Sequence, residues 1–450
     1  MLKIAIIQFP GLNTEYETRR EINKTGMRGE FFRWNEDPSK LAKYDGYVIG
    51  GGFSYEDRGR AGVIASLDPI MKAIKAEAEK GKPVLGICNG AQIILESGLI
   101  PGADGNKLVM ALARNKRIRE GKVLGTGYYN AWVNLKCVAT NKSNMFTLNI
   151  AEGEILKAPI AHGEGRFTTE IAGLIADLAE NDQMVFRYCD EIGVMKEEFP
   201  INPNGAMYNL AAICNPAGNV MGIMPHLERD FISSEKLFTS MRDALLAKQT
   251  KKRVHHLSAK PLPVWPIPKL TVAKQSVSMQ IPLIITDNEA ETFELTLKGM
   301  GWDKISLKRA THVEIEYIGK PDLQKTLKKI IQSGVLLNTN KEFAITKIGK
   351  ENLVFNAKKE KFAPAIEKNK EEGVIKYSFI VREITDYVGI SKLDILQKQL
   401  KLNEITGVKM GVLWEIFIPT KSTKVAQEEM KKIISTNIFF NPHRQSAFEI

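Results

Sequence analysis

At 450 residues the chain is too long for one ordinary core, and two or three domains are expected. Hydrophobic residues at 44% and charged residues at 26% exclude a disordered or fibrous chain, and no apolar run reaches the ~18 residues of a membrane span. The net charge of +11 comes largely from lysines spread through the second half without aromatic interleaving, which reads as a solvated basic surface or a face for an acidic protein partner rather than a nucleic-acid site.

The N-terminal run Lys3–Gln8 has neither the apolar length nor the cleavage site of a signal peptide. Four cysteines, Cys88, Cys137, Cys189 and Cys214, show no CxxC spacing, which argues against a disulfide framework and a zinc site and for a cytoplasmic protein. In the first half, short apolar runs alternate with helical stretches, as a parallel α/β sheet flanked by helices requires. Strands are expected at Lys3–Gln8, Tyr47–Ile49, Pro83–Ile87, Trp132–Lys136, Val185–Tyr188 and Val220–Met224. Helices are expected at Asp68–Lys80, Ala91–Ser97 and Ser233–Ala247.

The composition then changes. Residues 248–279 run through Lys251-Lys252-Arg253 into Pro261–Pro268, where four prolines in eight residues suit neither a helix nor a central strand, so this stretch reads as a semi-extended linker. Beyond it lies an internal repeat. Lys328–Asn338 aligns without a gap on Lys431–Asn441, and Val313-Glu314-Ile315 on Trp414-Glu415-Ile416. Each copy reads as a small α+β unit of order βαββαβ. In the second copy the elements are Ile375–Glu383, Ser391–Lys401, Val408–Lys409, Trp414–Ile418, Val425–Ser435 and Ala447–Ile450. The expected domains are therefore 1–247, a linker at 248–279, a first repeat at 280–346, a bridge at 347–372 and a second repeat at 373–450. Neither repeat holds a His/Cys/carboxylate cluster, and both read as scaffold.

Chemistry concentrates in the first domain. In Lys82–Gln92 an apolar strand ends at Ile87, Cys88 follows, and an apolar helix begins at once, with Gly86 and Gly90 two residues to either side. This is a nucleophile-elbow arrangement, in which bulky neighbours would clash and a helix N-terminus favours thiolate. A cysteine nucleophile needs a base and a group to orient it. Of six histidines, His255 and His256 fall in the linker and His312 and His443 in the repeats, leaving His162 and His226. His226 follows Pro225, which forces extended backbone before it, and residues two apart in an extended segment point the same way, so Glu228 can reach its ring. The glycines Gly50, Gly51 and Gly52 follow a buried strand without a P-loop or dinucleotide pattern, and a backbone N–H there can join that of Asn89 in an oxyanion hole.

With these segments quoted, a resemblance is plain. Gly50–Ser54, Gly86–Gln92 and Met224–Arg229 resemble the class I (triad) glutamine amidotransferases, a flavodoxin-like fold. Together with Phe9–Asn13, Arg60–Gly62, Pro159–Gly165 and Asn202–Gly205 they resemble more narrowly the glutaminase subunits of phosphoribosylformylglycinamidine synthase, the PurQ family, over residues 1 to about 245. The repeats resemble the small PurS subunit of the same enzyme, present twice, with Ile438–Pro442 echoing its typical ending. The chain departs from the family at Leu227, where proline is usual, at Glu56, where glycine is usual, and at Ala131, where arginine is usual.

The resemblance implies hydrolysis of the glutamine side-chain amide, with Cys88 as nucleophile, His226 as base and Glu228 holding the base. It also implies that the N–H groups of Asn89 and of Gly51 or Gly52 hold the oxyanion, and that Gln92 touches substrate. Ammonia would pass to a separate PurL-type synthetase carrying ATP and magnesium, while this chain needs no metal or cofactor and binds neither nucleic acid nor membrane. The repeats would pair within the chain as a pseudo-dimer. Two other readings are a single-domain elbow-cysteine hydrolase or chaperone, and a tandem ferredoxin-like regulatory protein with an inactive amidotransferase domain.

Overall fold

Ile4, Ala5, Ile6 and Ile7 are all fully buried, which a strand achieves when both faces of its sheet are covered. In the computed structural model, which describes residues 1–140, 144–248, 257–349, 351–356, 359–365 and 372–450, this run is β1 (Lys3–Gln8). After it come α1 (Glu15–Lys24), β2 (Arg28–Arg33), β3 (Gly46–Ile49), α2 (Val63–Ser66), α3 (Pro69–Glu79), β4 (Val84–Ile87) and α4 (Asn89–Glu96). Asp68 starts α3 by accepting the Ile70 N–H, with Pro69 in the first helical position. The chain goes on through the short strands β5 (Ala111–Ala113), β6 (Lys116–Arg119) and β7 (Lys122–Thr126) to β8 (Tyr129–Cys137), β9 (Ile155–His162), β10 (Arg166–Thr168), α5 (Leu174–Glu180), β11 (Met184–Cys189), β12 (Leu210–Cys214), β13 (Val220–Ile223) and α6 (Phe231–Leu246).

The main sheet has nine strands in the order β2-β1-β3-β4-β13-β12-β11-β8-β9. Its first five are parallel neighbours, but β12, β11, β8 and β9 each pair antiparallel, so the wholly parallel sheet expected from the sequence is corrected to a mixed one. The reason is chain length: a parallel connection needs a crossover of a dozen residues or so, and Asn215–Asn219 can only close a hairpin between β12 and β13. Among the described residues no helix is long and apolar enough to cross a membrane.

The chain divides into two units, Met1–Leu262 and Pro263–Ile450. Lys251-Lys252-Arg253, His255 and His256 lie outside the described residues, whereas Leu257 is buried in the core of the first unit. The second unit holds β14 (Ser276–Ile281), α7 (Asn288–Gly299), β15 (Ser306–Tyr317), α8 (Leu323–Gln332), β16 (Ile345–Ile348), β17 (Glu351–Asn356), β18 (Lys361–Pro364), β19 (Ile375–Glu383), α9 (Tyr387–Lys398), β20 (Ile405–Ile418), α10 (Thr423–Ile434) and β21 (Gln445–Glu449). They form one antiparallel sheet of eight strands, ordered β18-β17-β16-β14-β15-β20-β19-β21.

Three expectations change here. First, Val408–Lys409 and Trp414–Ile418 belong to one strand, β20, so the order within the second copy is βαβαβ and not βαββαβ. Gly411 sits in mid-strand because Arg382 of β19 lies over it, and an added Cβ would meet Arg382 Cγ at 2.9 Å and the Val381 carbonyl at 2.8 Å. Second, the stretch Lys347–Glu372 carries β17 and β18, which extend the sheet. Third, β14 begins at Ser276, inside the stretch read as linker, and Pro268–Leu270 is bonded to β21 through Leu270 N–H to Glu449 O and Glu449 N–H to Pro268 O, both 2.8 Å.

β15 and β20, one from each copy, pair over twelve residues from Ser306↔Phe417 to Tyr317↔Ile405. On one face of β15, Val313 and Ile315 pack with Leu327, Ile330 and Ile331 of α8. On the other, Glu314 is fully buried and bonded to Arg382 Nη2 at 2.9 Å, while the His312 ring bonds Ser278 Oγ at 2.8 Å. Burial and the Arg382 charge hold His312 down at about 4. For Glu314, burial alone would raise the carboxyl, but hydrogen bonds from Arg382 and the Ala273 N–H outweigh it and hold it low.

Removing one member of a buried pair strands the other, at a cost of about 3–5 kcal/mol. Arg382→Met is therefore expected to lower the unfolding free energy of the second unit, read from urea unfolding, by that order, with Glu314→Leu in the same chain restoring most of it. A neutral His312 contributes fully above its unfolded value of ~6.5 and loses that contribution as pH falls toward about 4. Urea unfolding at pH 7 and pH 5 should show the second unit weaker at pH 5, and His312→Gln should shrink the difference.

Candidate active site

β4 ends at Ile87 and α4 begins at Asn89, so Cys88 alone turns the chain, at φ 52°. That left-handed conformation is costly for a residue with a Cβ and persists only where the surroundings dictate it. Here they do. The Cys88 N–H donates to Ile223 O of β13 at 2.8 Å, and the Gly90 N–H donates to Gly50 O at 3.0 Å. A Cβ on Gly86 would lie 2.5 Å from Gly90 O, and one on Gly90 would lie 2.0 Å from Ile49 O, so neither flank accepts a side chain. The sulfur stands at the N-terminus of α4, where aligned peptide dipoles favour an anion.

His226 and Glu228 leave the end of β13. The extended segment expected there is instead a 3₁₀ turn, Leu227–Arg229, and the two side chains still meet. The His226 N–H donates to Pro159 O at 2.8 Å, and its Nδ1 donates to Glu228 Oε1 at 2.7 Å. Both residues are buried, Glu228 completely. Burial alone would keep the imidazole neutral. The Glu228 carboxylate and the Cys88 sulfur, which hydrogen-bonds the ring, outweigh it and raise His226 to about 10. With Nδ1 committed to Glu228, Nε2 is the nitrogen left for Cys88. The other histidine left open by the sequence, His162, is buried beside this pair and held down to about 3 by burial and the charge on His226, its ring bonded by Asn115 Nδ2 at 3.2 Å.

The glycine loop comes to the same place: a Cβ on Gly51 would lie 2.5 Å from His226 Cε1 and 3.4 Å from Cys88 Cβ. Its N–H, however, donates to Thr14 Oγ1 at 2.7 Å. Among the described residues neither the Gly52 N–H nor the Asn89 N–H has an acceptor, which leaves these two as the open donors. Gln92, expected to touch substrate, has both ends of its amide held by protein, Nε2 on Glu164 O at 2.6 Å and Oε1 on Asn89 Nδ2 at 2.8 Å.

Sequence reasoning assigns no role to Thr14, Asp57 or Glu164. Asp57 Oδ1 accepts from Asn89 Nδ2 at 3.1 Å, and Glu164 Oε2 accepts from the Ala61 N–H at 3.3 Å. Burial and the charge of Glu164 push Asp57 up to about 7. Glu164 lies in a segment that carries the resemblance and Asp57 between two of them, but a loop carboxylate in a sequence looks the same whether solvated or buried. Glu56, where the family has glycine, takes φ 59°, which explains that preference. Among the described residues no group of three or more His, Cys, Asp or Glu is placed to hold a metal ion.

The family model for the CobB/CobQ-like glutamine amidotransferase domain matches residues 1–252. The PurQ subunit of phosphoribosylformylglycinamidine synthase from Methanothrix thermoacetophila is 50% identical over 232 residues, 52% of this chain and 88% of that protein. The chain belongs to the PurQ family of glutamine amidotransferases. The PurQ subunit of Pyrococcus furiosus is 41% identical over 247 residues, 54% of this chain and 97% of its own length. The structure of PurLQS from Thermotoga maritima aligns over 54% of this chain and 99% of the matched chain, at 29% identity and a TM-score of 0.42. The residues matched by the family model, 1–252, lie within the first unit.

Two measurements bear on this PurQ-type site. Burial pushes the Cys137 thiol up to about 12 and the Cys189 thiol up to about 11, so iodoacetamide at pH 7.5 should label Cys88 at least ~100-fold faster than either. Peptide mapping that found one of the others labelled first would displace Cys88 from the site. Glu228→Gln removes the foremost group raising His226, so imidazole ¹⁵N shifts should show that ring titrating well below about 10.

Proposed function

We propose that this chain is the glutaminase component of phosphoribosylformylglycinamidine synthase in purine biosynthesis, working through a Cys88–His226–Glu228 triad. The observation that carries the reading is Cys88 at a left-handed elbow facing an imidazole whose Nδ1 is held by buried Glu228 at 2.7 Å. Cys88 Sγ attacks the glutamine amide carbonyl, and the oxyanion is received by the N–H groups of Gly52 and Asn89. His226 passes its proton to the leaving nitrogen, releasing ammonia and a glutamyl thioester. Water, deprotonated by His226, then adds to the thioester, and glutamate leaves as the proton returns to the Cys88–His226 pair. Glu228 fixes the ring tautomer through both steps.

The relatives are named as subunits of a synthase, and one solved assembly is named PurLQS. In our reading the ammonia goes to a PurL-type synthetase that holds the ATP and magnesium, all within the cytoplasm. The two copies in the second unit act as a PurS-like pseudo-dimer that brings the subunits together, and the twelve-pair ladder between β15 and β20 supports this.

In the assembled enzyme, Cys88→Ala is expected to abolish glutamine-dependent synthesis, by at least ~10³-fold, and to leave ammonia-dependent synthesis within about twofold. Equal loss of both would make Cys88 a structural residue and overturn the reading.

A further inference from the structure

The two open amide donors lie on separate elements: Gly52 on the loop after β3, Asn89 on the first turn of α4. Their separation defines the oxyanion hole. The side chain of Asn89 ties one element to the other. Its Oδ1 accepts the Ser54 N–H at 3.0 Å, two residues beyond Gly52, and its Nδ2 donates to Asp57 Oδ1 at 3.1 Å and to Gln92 Oε1 at 2.8 Å. Asn89 is fully buried, so its amide has no water to turn toward.

The acceptor Asp57 is itself delivered by an unusual backbone. Tyr55, Glu56 and Asp57 take φ 50°, 59° and 53°, three successive left-handed residues with side chains. The Tyr55 N–H donates to Pro10 O at 2.8 Å, and its hydroxyl donates to Asp68 Oδ2 at 3.2 Å, holding the turn from outside. Such a turn is kept only if its product is used. What it delivers is a carboxylate oxygen against Asn89, and none of its three residues reaches the sulfur or the imidazole through a hydrogen bond.

We propose that Asp57 is a positioning residue for the oxyanion hole, which through Asn89 sets the distance between the amide donors of Gly52 and Asn89. The proposal rests on the glutaminase reading above. It requires an acceptor at Asp57 rather than a charge, because the partner is a neutral amide N–H. It also predicts a defect confined to chemistry in which charge develops on a carbonyl oxygen.

The test compares two reactions of the same thiol in the full chain. Glutamate release proceeds through an oxyanion, whereas alkylation of Cys88 by iodoacetamide is a displacement at carbon and develops none. Asp57→Ala is expected to lower kcat for glutamate release by about 10–100-fold with KM for glutamine within about threefold, since misplacing a donor costs less than losing it. The rate of Cys88 alkylation should stay within about twofold of the parent. Asp57→Asn keeps the acceptor, and its kcat should stay within about threefold. Alkylation that falls in step with kcat would mean a general disruption of the elbow, and an unchanged kcat in Asp57→Ala would mean the turn does not set the hole; either overturns the proposal. Absence of glutamate release from the parent enzyme would instead strike the glutaminase reading itself, before any Asp57 variant is compared.

Discussion

A cysteine turned at φ 52° between a buried parallel strand and a helix demands that everything around it be close and small. Gly86 and Gly90 leave room for the turn, the carbonyls of Ile49 and Gly50 crowd against Gly90, and Ile223 O takes the cysteine N–H. The main sheet follows from this demand: β3, β4 and β13 must be parallel neighbours for the glycine loop, the elbow and the segment bearing His226 to leave it at one end. Packing here fixes the geometry of the site as well as its stability, because a shift of β13 would move both the acceptor of the Cys88 N–H and His226.

The electrostatics are arranged with comparable economy. Glu228 has no water to share its charge with, and its one bonded oxygen holds His226. Moving that carboxylate out of solvent is unfavourable by itself, and the nearby imidazolium is what makes it tolerable. Burial and the charge on His226 keep a second imidazole, that of His162, neutral beside the first, with Asn115 bonding both its ring and its carbonyl, so the site carries one cationic ring and not two.

What could be read from the sequence was whatever local spacing determines. Cys88 is legible because glycines two residues to either side, between an apolar strand and an apolar helix, leave few other geometries. Glu228 is legible by its distance from His226, although the backbone that joins them is a 3₁₀ turn and not an extended segment. Thr14 and Asp57 were not legible, since their partners lie 37 and 32 residues away and only the sheet brings them together. The direction of β11 and β12 was hidden for another reason: a short apolar run looks the same in a parallel or an antiparallel sheet, and the brevity of Asn215–Asn219 was the sole local sign. The continuity of β20 between Val408–Lys409 and Trp414–Ile418 was hidden too: the stretch between them holds Gly411, whose place in mid-strand makes sense only once Arg382 is seen lying over it.

The bond between Glu314 and Arg382 also breaks the symmetry of the tandem. By the alignment of the copies and their strand registers, Glu314 corresponds to Glu415 and Arg382 to Pro282, so the pseudo-equivalent pair does not exist. Two identical subunits related by a twofold axis would have to form such a pair twice or not at all. Joining the copies in one chain removes that restriction and lets each half drift on its own. The consequence is polarity: a surface that would have presented the same face in two directions now has a distinguishable front and back.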